Sequence, residues 1–354
     1  MASASNLVAK PSKTLRFTGS LGWVWTVVGP FLGLIGIVLL FAYLTRDAGR
    51  FMTLDNWRTI AVQSVIVATA ALGMTLIMIA GGIDLSVGSV VALVCVVMAL
   101  LLRGSQWHVG GATWTVPAMS MLLVLPLGIV IGGLCGLFNG ILITRLGLLP
   151  FIVTLGGMKI FRGLSKWLAG STSVYAPQES KPDWFAPIMK IDPTPAWLMV
   201  APGVWVVLAL SVFLALMLRY TLFGRYIYAI GSNESTARLC GIAVPRVKVA
   251  AYGLAGLMTG LAGMMQFIYI QGTGDPTTAD GLELQVIAAV VIGGASLNGG
   301  EGTVLGTLIG CLIMSVLNNG CVHTGIANAS QDIMIGAIIV AAVTLDRFRR
   351  LGNR

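Results

Sequence analysis

The chain has 354 residues; only 10% are charged, 56% are hydrophobic and 45 are Gly. Soluble domains carry about 25% charged residues and about 7% Gly. This chain therefore lacks the polar shell of a soluble globule, and its mean hydropathy of +0.90 places it in a lipid bilayer. The net charge of +9 would suit a nucleic-acid binder, but the basic residues sit beside apolar runs, where they act as topological signals instead. Nucleic acid is not an expected partner; membrane lipid is.

The first twenty residues are polar and basic (Lys10, Lys13, Arg16), and the apolar run behind them is too long for a cleavable signal. They read as a cytoplasmic tail. A span needs about 20 apolar residues at 1.5 Å each, and that window predicts ten membrane helices: 21–44, 60–80, 85–102, 116–144, 148–169, 197–218, 247–270, 284–295, 303–321 and 331–345. The fifth is interrupted by Lys159, Arg162 and Lys166, and the eighth is short before a Gly-rich break, so each also fits a re-entrant or broken helix. The fold class is an all-α, polytopic membrane protein. A transmembrane domain over 21–345 lies between cytoplasmic tails at 1–20 and 346–354.

Charge sets the orientation. Lys10, Lys13, Arg16, Arg145, Arg219, Arg225, Arg238, Arg246, Lys248, Arg347, Arg349, Arg350 and Arg354 fall on one side; Arg46, Arg50, Arg58, Arg103, Lys181 and Lys190 fall on the other. The positive-inside rule makes the first side, and both termini, cytoplasmic. Two connections are long. Residues 171–196 hold five prolines with Trp184 and Phe185, so they form no regular helix, and the aromatics suit the membrane interface. Residues 219–246 form the basic cytoplasmic loop, punctuated by Gly224, Gly231 and Gly241.

Catalytic and nucleotide motifs are missing: there is no GxxxxGK[ST] loop, HExxH, nucleophile elbow or carboxylate pair. Cys95, Cys135, Cys240, Cys311 and Cys321 have neither paired nor metal-ligand spacing, and His108 and His323 are isolated. An enzyme is not expected.

The most informative segment runs Gly81-Gly82-Ile83-Asp84-Leu85-Ser86-Val87-Gly88. Two glycines end one apolar helix, and Asp84 with Ser86 caps the next. It reads as a tight cytoplasmic turn, or as close backbone packing beside a translocation route. An acid at a span boundary is costly unless capped or functional. A second break, Gly293-Gly294-Ala295-Ser296-Leu297-Asn298-Gly299-Gly300, aligns with the first at a shift of 212: Gly81, Gly82, Leu85 and Gly88 onto Gly293, Gly294, Leu297 and Gly300. That would be a parallel internal repeat. Lys159, Arg162 and Lys166 share one helix face, which either snorkels to headgroups or lines an aqueous passage where Arg162 meets sugar hydroxyls or a carboxylate. Asn139, Gln266 and Asn318 are polar side chains within spans, suited to interhelical hydrogen bonds. Asn233, Glu234, Ala237, Arg238 and Gly241 outline a short bounded helix: Asn233 caps it, Glu234 suits its positive end and Gly241 ends it. Such a helix suits docking into a partner's groove.

Gly-Gly-Ile-Asp-Leu-Ser-Val-Gly at 81–88, Pro-Phe-Ile-Val-Thr-Leu-Gly at 150–156, Gly-Arg-Tyr-Ile-Tyr-Ala-Ile-Gly-Ser-Asn-Glu at 224–234, Gly241, and the Gly-rich block at 291–306 together resemble the membrane permease subunit of ATP-binding-cassette importers, in the ribose-type sugar group. The resemblance spans most of the chain between residues 60 and 347. It implies a bacterial inner-membrane, multi-pass subunit that translocates a monosaccharide. The implied partners are one or two cytoplasmic ATPase subunits carrying the ATP and Mg, a second permease protomer (identical or not), and an extracytoplasmic sugar-binding protein. This chain itself would bind no cofactor.

By similarity, residues 234–241 form the coupling helix that seats on the ATPase. The residues themselves point to Gly81, Gly82, Asp84, Ser86, Asn139, Arg162, Gly293, Gly294 and Asn298 as candidates along the pathway. Arg162 fits the family pattern; Lys159 and Lys166 depart from it. Two alternatives stay open here. One is an ion-coupled secondary carrier, for which Asp84 is the single candidate acid. The other is a related permease for branched-chain amino acids.

Overall fold

The computed structural model describes residues 21–46, 49–109, 112–193 and 195–351. The N-terminal tail with Lys10, Lys13 and Arg16, and the last residue Arg354, lie outside the described residues. Twelve α-helices follow one another among them: α1 (Leu21–Leu44), α2 (Leu54–Ile79), α3 (Val87–Arg103), α4 (Met121–Leu146), α5 (Pro150–Leu168), α6 (Pro202–Tyr220), α7 (Leu222–Ser232), α8 (Glu234–Leu239), α9 (Val244–Tyr269), α10 (Leu282–Ile292), α11 (Val304–His323) and α12 (Asn328–Leu351). Strand β1 (Ser105–Val109) pairs antiparallel with β2 (Ala112–Val116), and β3 (Val174–Tyr175) with β4 (Thr273–Gly274). Five helices, α2, α4, α6, α9 and α11, are long and apolar enough to cross a membrane.

Every expected span has a helical counterpart; α1 matches its expected ends, and the others are shifted. The helix expected at 60–80 starts at Leu54, because the Thr53 hydroxyl caps it by accepting the Asn56 N–H. The span expected from 116 starts at Met121, since Val116 is paired in a hairpin with Ser105. No break interrupts α5: Lys159, Arg162 and Lys166 are good helix formers, and only their face is polar. Helix α10 is as short as expected, 11 residues. The described residues of 171–196 hold two short 3₁₀ turns, with a third starting at Ala196, and no α-helix. Phe185 is not at an interface: it is buried and packs edge-on against Phe267, with ring centroids 6.0 Å apart. The loop expected over 219–246 is mostly helical, and Gly224 and Gly231 lie inside α7 instead of ending elements.

The Gly excess is spent where helices touch. On α4, Gly128, Gly132, Gly136 and Gly140 recur every fourth residue and form one face. That face lies on Gly256, Gly260 and Tyr252 of α9: a methyl on Gly132 or Gly136 would overlap α9 backbone, and one on Gly140 would sit 3.1 Å from the Val249 Cα. Removing side chains there lets the two backbones approach, which in lipid, with no hydrophobic drive between helices, supplies the packing energy. Helix α2 is buried without interruption from Val65 to Ile79, so that half forms the centre of the bundle. The outer faces of α4 and α6 expose Leu122, Leu134, Val212 and Phe213, as a lipid-facing surface should.

Candidate functional site

The first Gly-rich break is not a solvent-facing turn. Asp84 and Ser86 are 5% and 1% exposed. One Asp84 carboxylate oxygen accepts the Ser86 N–H at 2.8 Å and the Ser86 hydroxyl at 2.6 Å. Asn139 of α4 donates to the Ser86 hydroxyl at 2.9 Å, and Thr154 of α5 to the Ile83 carbonyl at 3.1 Å. Asn139 is seven residues from Leu146 (146 − 139), so Ser86 lies about 10 Å up from the end of α4. The sequence signal for a boundary turn is correct about the helix end but silent about depth, because α4 and α5 supply the walls.

Helix α2 ends in a Schellman motif: Gly81 has φ +80°, the Gly82 N–H returns to the Ile77 carbonyl and the Gly81 N–H to that of Met78. Helix α10 ends the same way, with Gly294 at φ +91° and bonds from Ala295 to Val290 and from Gly294 to Val291. The two caps therefore correspond as Gly81 to Gly294, one residue off the alignment read from sequence. The correspondence ends there: Gly88 is helical and buried in α3, while Gly300 is in a loop at φ +78°. Gly293 packs against the backbone of Gly306, where a methyl would overlap. The Asn298 N–H bonds the Ser296 hydroxyl at 3.2 Å, and the second break touches the first: the Gly300 N–H donates to the Ile79 carbonyl at 2.9 Å.

Above these breaks lies a cavity of about 1050 Å³, walled by α2, α9, α10, α11 and α12. Its polar lining holds seven carboxamides, Asn56, Gln63, Gln266, Gln285, Asn318, Asn319 and Gln331, together with hydroxyls such as Ser315 and the charged Arg50, Asp55, Asp280 and Asp332. The Ser315 hydroxyl and the Asn319 Oδ1 have no protein partner, so their bonding capacity is unspent. At the rim, His323 bonds Asn56 at 3.0 Å. Gln266 and Asn318 are polar residues noticed in the sequence; the others were missed. They sit in the first half of α2, in the first turns of α10 and α12 and near the end of α11, where a single chain gives no sign that five helices face one another.

Arg162 serves this cavity from behind. It donates to the carbonyls of Pro276 and Thr278 at 2.9 and 2.8 Å and pairs with Asp280 at 3.5 Å. Its guanidinium is thus spent on the loop after α9, which Asp275 also braces by accepting the Thr277 N–H and hydroxyl, both at 2.7 Å. Lys159 and Lys166 are exposed on α5, away from that loop.

At the opposite end from the cavity, α8 is built as the sequence predicts. The Asn233 side chain accepts the Thr236 N–H at 2.9 Å. Gly241, at φ +83°, closes a Schellman motif with bonds from Ile242 to Ala237 and from Gly241 to Arg238. Glu234 accepts from Lys248 at 2.6 Å and from Arg238 at 3.1 Å, and Ala237 is buried. One residue escaped sequence reading: Leu239 is 89% exposed.

A bundle with a lipid-compatible outside, a polar hollow at one end and a short, doubly capped helix at the other is built as a membrane permease. Residues 56–343 fit the family described as the permease component of branched-chain amino acid transport systems, and the chain belongs to that family. It is 35% identical over 319 residues to the ribose import permease protein RbsC of Escherichia coli (strain K12), covering 88% of this chain and 92% of that protein. It is 38% identical over 342 residues to RbsC of Bacillus subtilis (strain 168), covering 95% and 96%. It is 32% identical over 333 residues to the L-arabinose ABC transporter permease protein AraH of Azospirillum brasilense, covering 94% and 92%. No solved structure matches the chain.

Proposed function

We infer that this chain is the inner-membrane permease subunit of a bacterial ATP-binding-cassette importer that translocates a monosaccharide. The observation that carries the reading is the carboxamide-lined cavity in a chain that matches ribose and arabinose permeases over almost their full length. Each carboxamide both donates and accepts, as each sugar hydroxyl does, so a wall of them exchanges bonds with a neutral polyol at little cost. Arg50, Asp55, Asp280 and Asp332 add fixed charges to the cavity, and it is the likeness to ribose and arabinose permeases that favours a sugar over a zwitterionic amino acid. An ion-coupled carrier would want an ion site in its pathway, and Asp84 lies below the cavity, bonded to Ser86.

In this reading α1–α6 and α9–α12 make ten passages, α7 and α8 lie on the cytoplasmic side, and both termini are cytoplasmic. Helix α10 is about 16 Å long at 1.5 Å per residue, so it makes a half-passage completed by the loop of 270–281. The pathway runs down the cavity toward Gly81, Gly82, Asp84, Ser86, Asn139, Gly293, Gly294 and Asn298, with Arg162 bracing its wall. Asn233, Glu234, Ala237, Arg238 and Gly241 present Leu239 to a cytoplasmic ATPase, which carries the ATP and Mg. A second permease protomer and an extracytoplasmic sugar-binding protein complete the importer. Reconstituted with these partners in proteoliposomes, the permease takes up sugar only with ATP, and vanadate or omission of the ATPase abolishes uptake. Uptake that survives both and follows a proton gradient would overturn the reading.

A further inference from the structure

Three main chains meet at the inner end of the bundle with no side chain between them. Gly231, in the last turn of α7, faces the carbonyl of Ile79, the last residue of α2; a methyl there would overlap that oxygen and approach the Gly300 N–H. A methyl on Gly299 would stand 2.8 Å from the Gly81 Cα and 2.9 Å from the Gly231 Cα, and one on Gly300 would stand 3.0 Å from the Ser232 Cα. Gly300 closes the joint by donating to Ile79 at 2.9 Å, using one of the carbonyls that a helix end leaves unpaired. Tyr228, three residues earlier on α7, ties the same loop by donating to the Gly302 carbonyl at 2.7 Å.

The position of this joint matters. Below the cavity, α2 from Ala68 to Ile79 and α10 from Val286 to Val291 are buried, and where those helices end the two Gly-rich breaks touch. On the other side of Gly231 a single linking residue, Asn233, separates α7 from α8. Helix α7 holds its own line through buried Ile227 and Ile230, so a displacement of α8 reaches Gly231 without slack.

We propose that Gly231 is a positioning residue of the transport cycle: it transmits movement of α8 to the Ile79–Gly300 contact, so that both breaks part together and the inner end of the passage opens. The inference rests on the reading of α8 as the ATPase-docking helix and adds where its motion is delivered. Packed cores and interfaces switch between discrete arrangements, and a joint of bare backbone is one that a single methyl group displaces.

The test uses the full complex of permease, ATPase and loaded binding protein in proteoliposomes, comparing wild type with Gly231→Ala. The variant is expected to co-purify with the ATPase and keep its unstimulated ATP hydrolysis, while stimulation by loaded binding protein disappears and uptake falls at least tenfold. Wild-type stimulation and uptake in Gly231→Ala would overturn the proposal. Should that variant fail to accumulate, Tyr228→Phe adds no volume and removes only the tether to Gly302; it should lower sugar taken up per ATP about two- to fivefold, and an unchanged ratio would equally overturn it. If wild type itself moves sugar without the ATPase, the importer reading fails; if wild type is ATP-dependent and both variants match it, only the role of Gly231 fails.

Discussion

Leu239 leaves 89% of its surface exposed on a helix whose neighbour Ala237 is buried, so α8 is anchored on one side and presents an apolar knob on the other. Such knobs are the residues that dominate binding when a pocket receives them. Leu239→Asp should leave the permease abundant in the membrane and weaken its hold on the ATPase by about tenfold, some 1.4 kcal/mol; a co-purification titration against wild type reads this, and undiminished recovery would remove Leu239 from the interface. Glu234 sets the aim of that knob. The hydrogen bond from Lys248 holds its carboxyl below the ordinary value of 4.5, opposed by partial burial and helped by the charges of Lys248 and Arg238. A depressed folded value means that the anchorage is complete above pH 4.5 and is lost as pH falls through that lower value. A fluorophore on Cys240, the exposed cysteine beside Leu239, should therefore keep its anisotropy from pH 7 to about 5 and lose it in more acid solution. In Glu234→Gln the anisotropy should be lower and flat.

At the level of elements, the glycine seam between α4 and α9 is the joint on which the bundle is built. Gly136→Val forces atoms into the Tyr252 carbonyl and the Gly256 Cα, which a methyl alone already reaches at 2.8 Å or closer. Overpacking of this kind costs about 1–3 kcal/mol and sometimes more. The variant should unfold in detergent at a lower temperature than wild type and accumulate poorly. Gly36→Ala on α1, with nothing within 4 Å of the added methyl, should do neither; Ala is the better helix former by about 1 kcal/mol. Equal behaviour of the two variants would mean that seam spacing is not what matters. The helices were legible because their signals are local: a run of apolar residues is long or it is not, and Asn233 and Gly241 bound α8 by bonds within ten residues. The cavity was not legible. Gln63, Gln285 and Asn319 lie in three mainly apolar stretches far apart in the chain, and their convergence depends on how five helices pack. The depth of Asp84 escaped for the same reason, since Asn139 and Thr154, which enclose it, are distant in sequence. Helix α7 was hidden by its glycines, which serve packing at positions where sequence reasoning expects breaks.

The whole molecule has two chemically different ends, and that difference is what orients it. Around α8 stand Arg145, Arg219, Arg225, Arg238, Arg246 and Lys248, while the cavity carries Asp55, Asp280 and Asp332 with Arg50. Lys and Arg resist translocation far more than Asp and Glu do, and on that ground the proposed reading keeps the basic end in the cytoplasm and opens the cavity outward. The cysteines make this directly measurable, because Cys240 is exposed and the other four are buried. A membrane-impermeant maleimide should label wild type in inverted vesicles, where the cytoplasmic face is outside, and leave it unlabelled in intact cells stripped of their wall. Moving the thiol to the cavity, as Asn318→Cys in a Cys240→Ser background, should reverse the result. Bound ATPase should protect Cys240 and not the cavity thiol, whereas loaded binding protein should protect the cavity thiol alone. Labelling of both thiols from the same side would place the cavity and α8 on one face of the membrane. A passage gated between them would then be impossible.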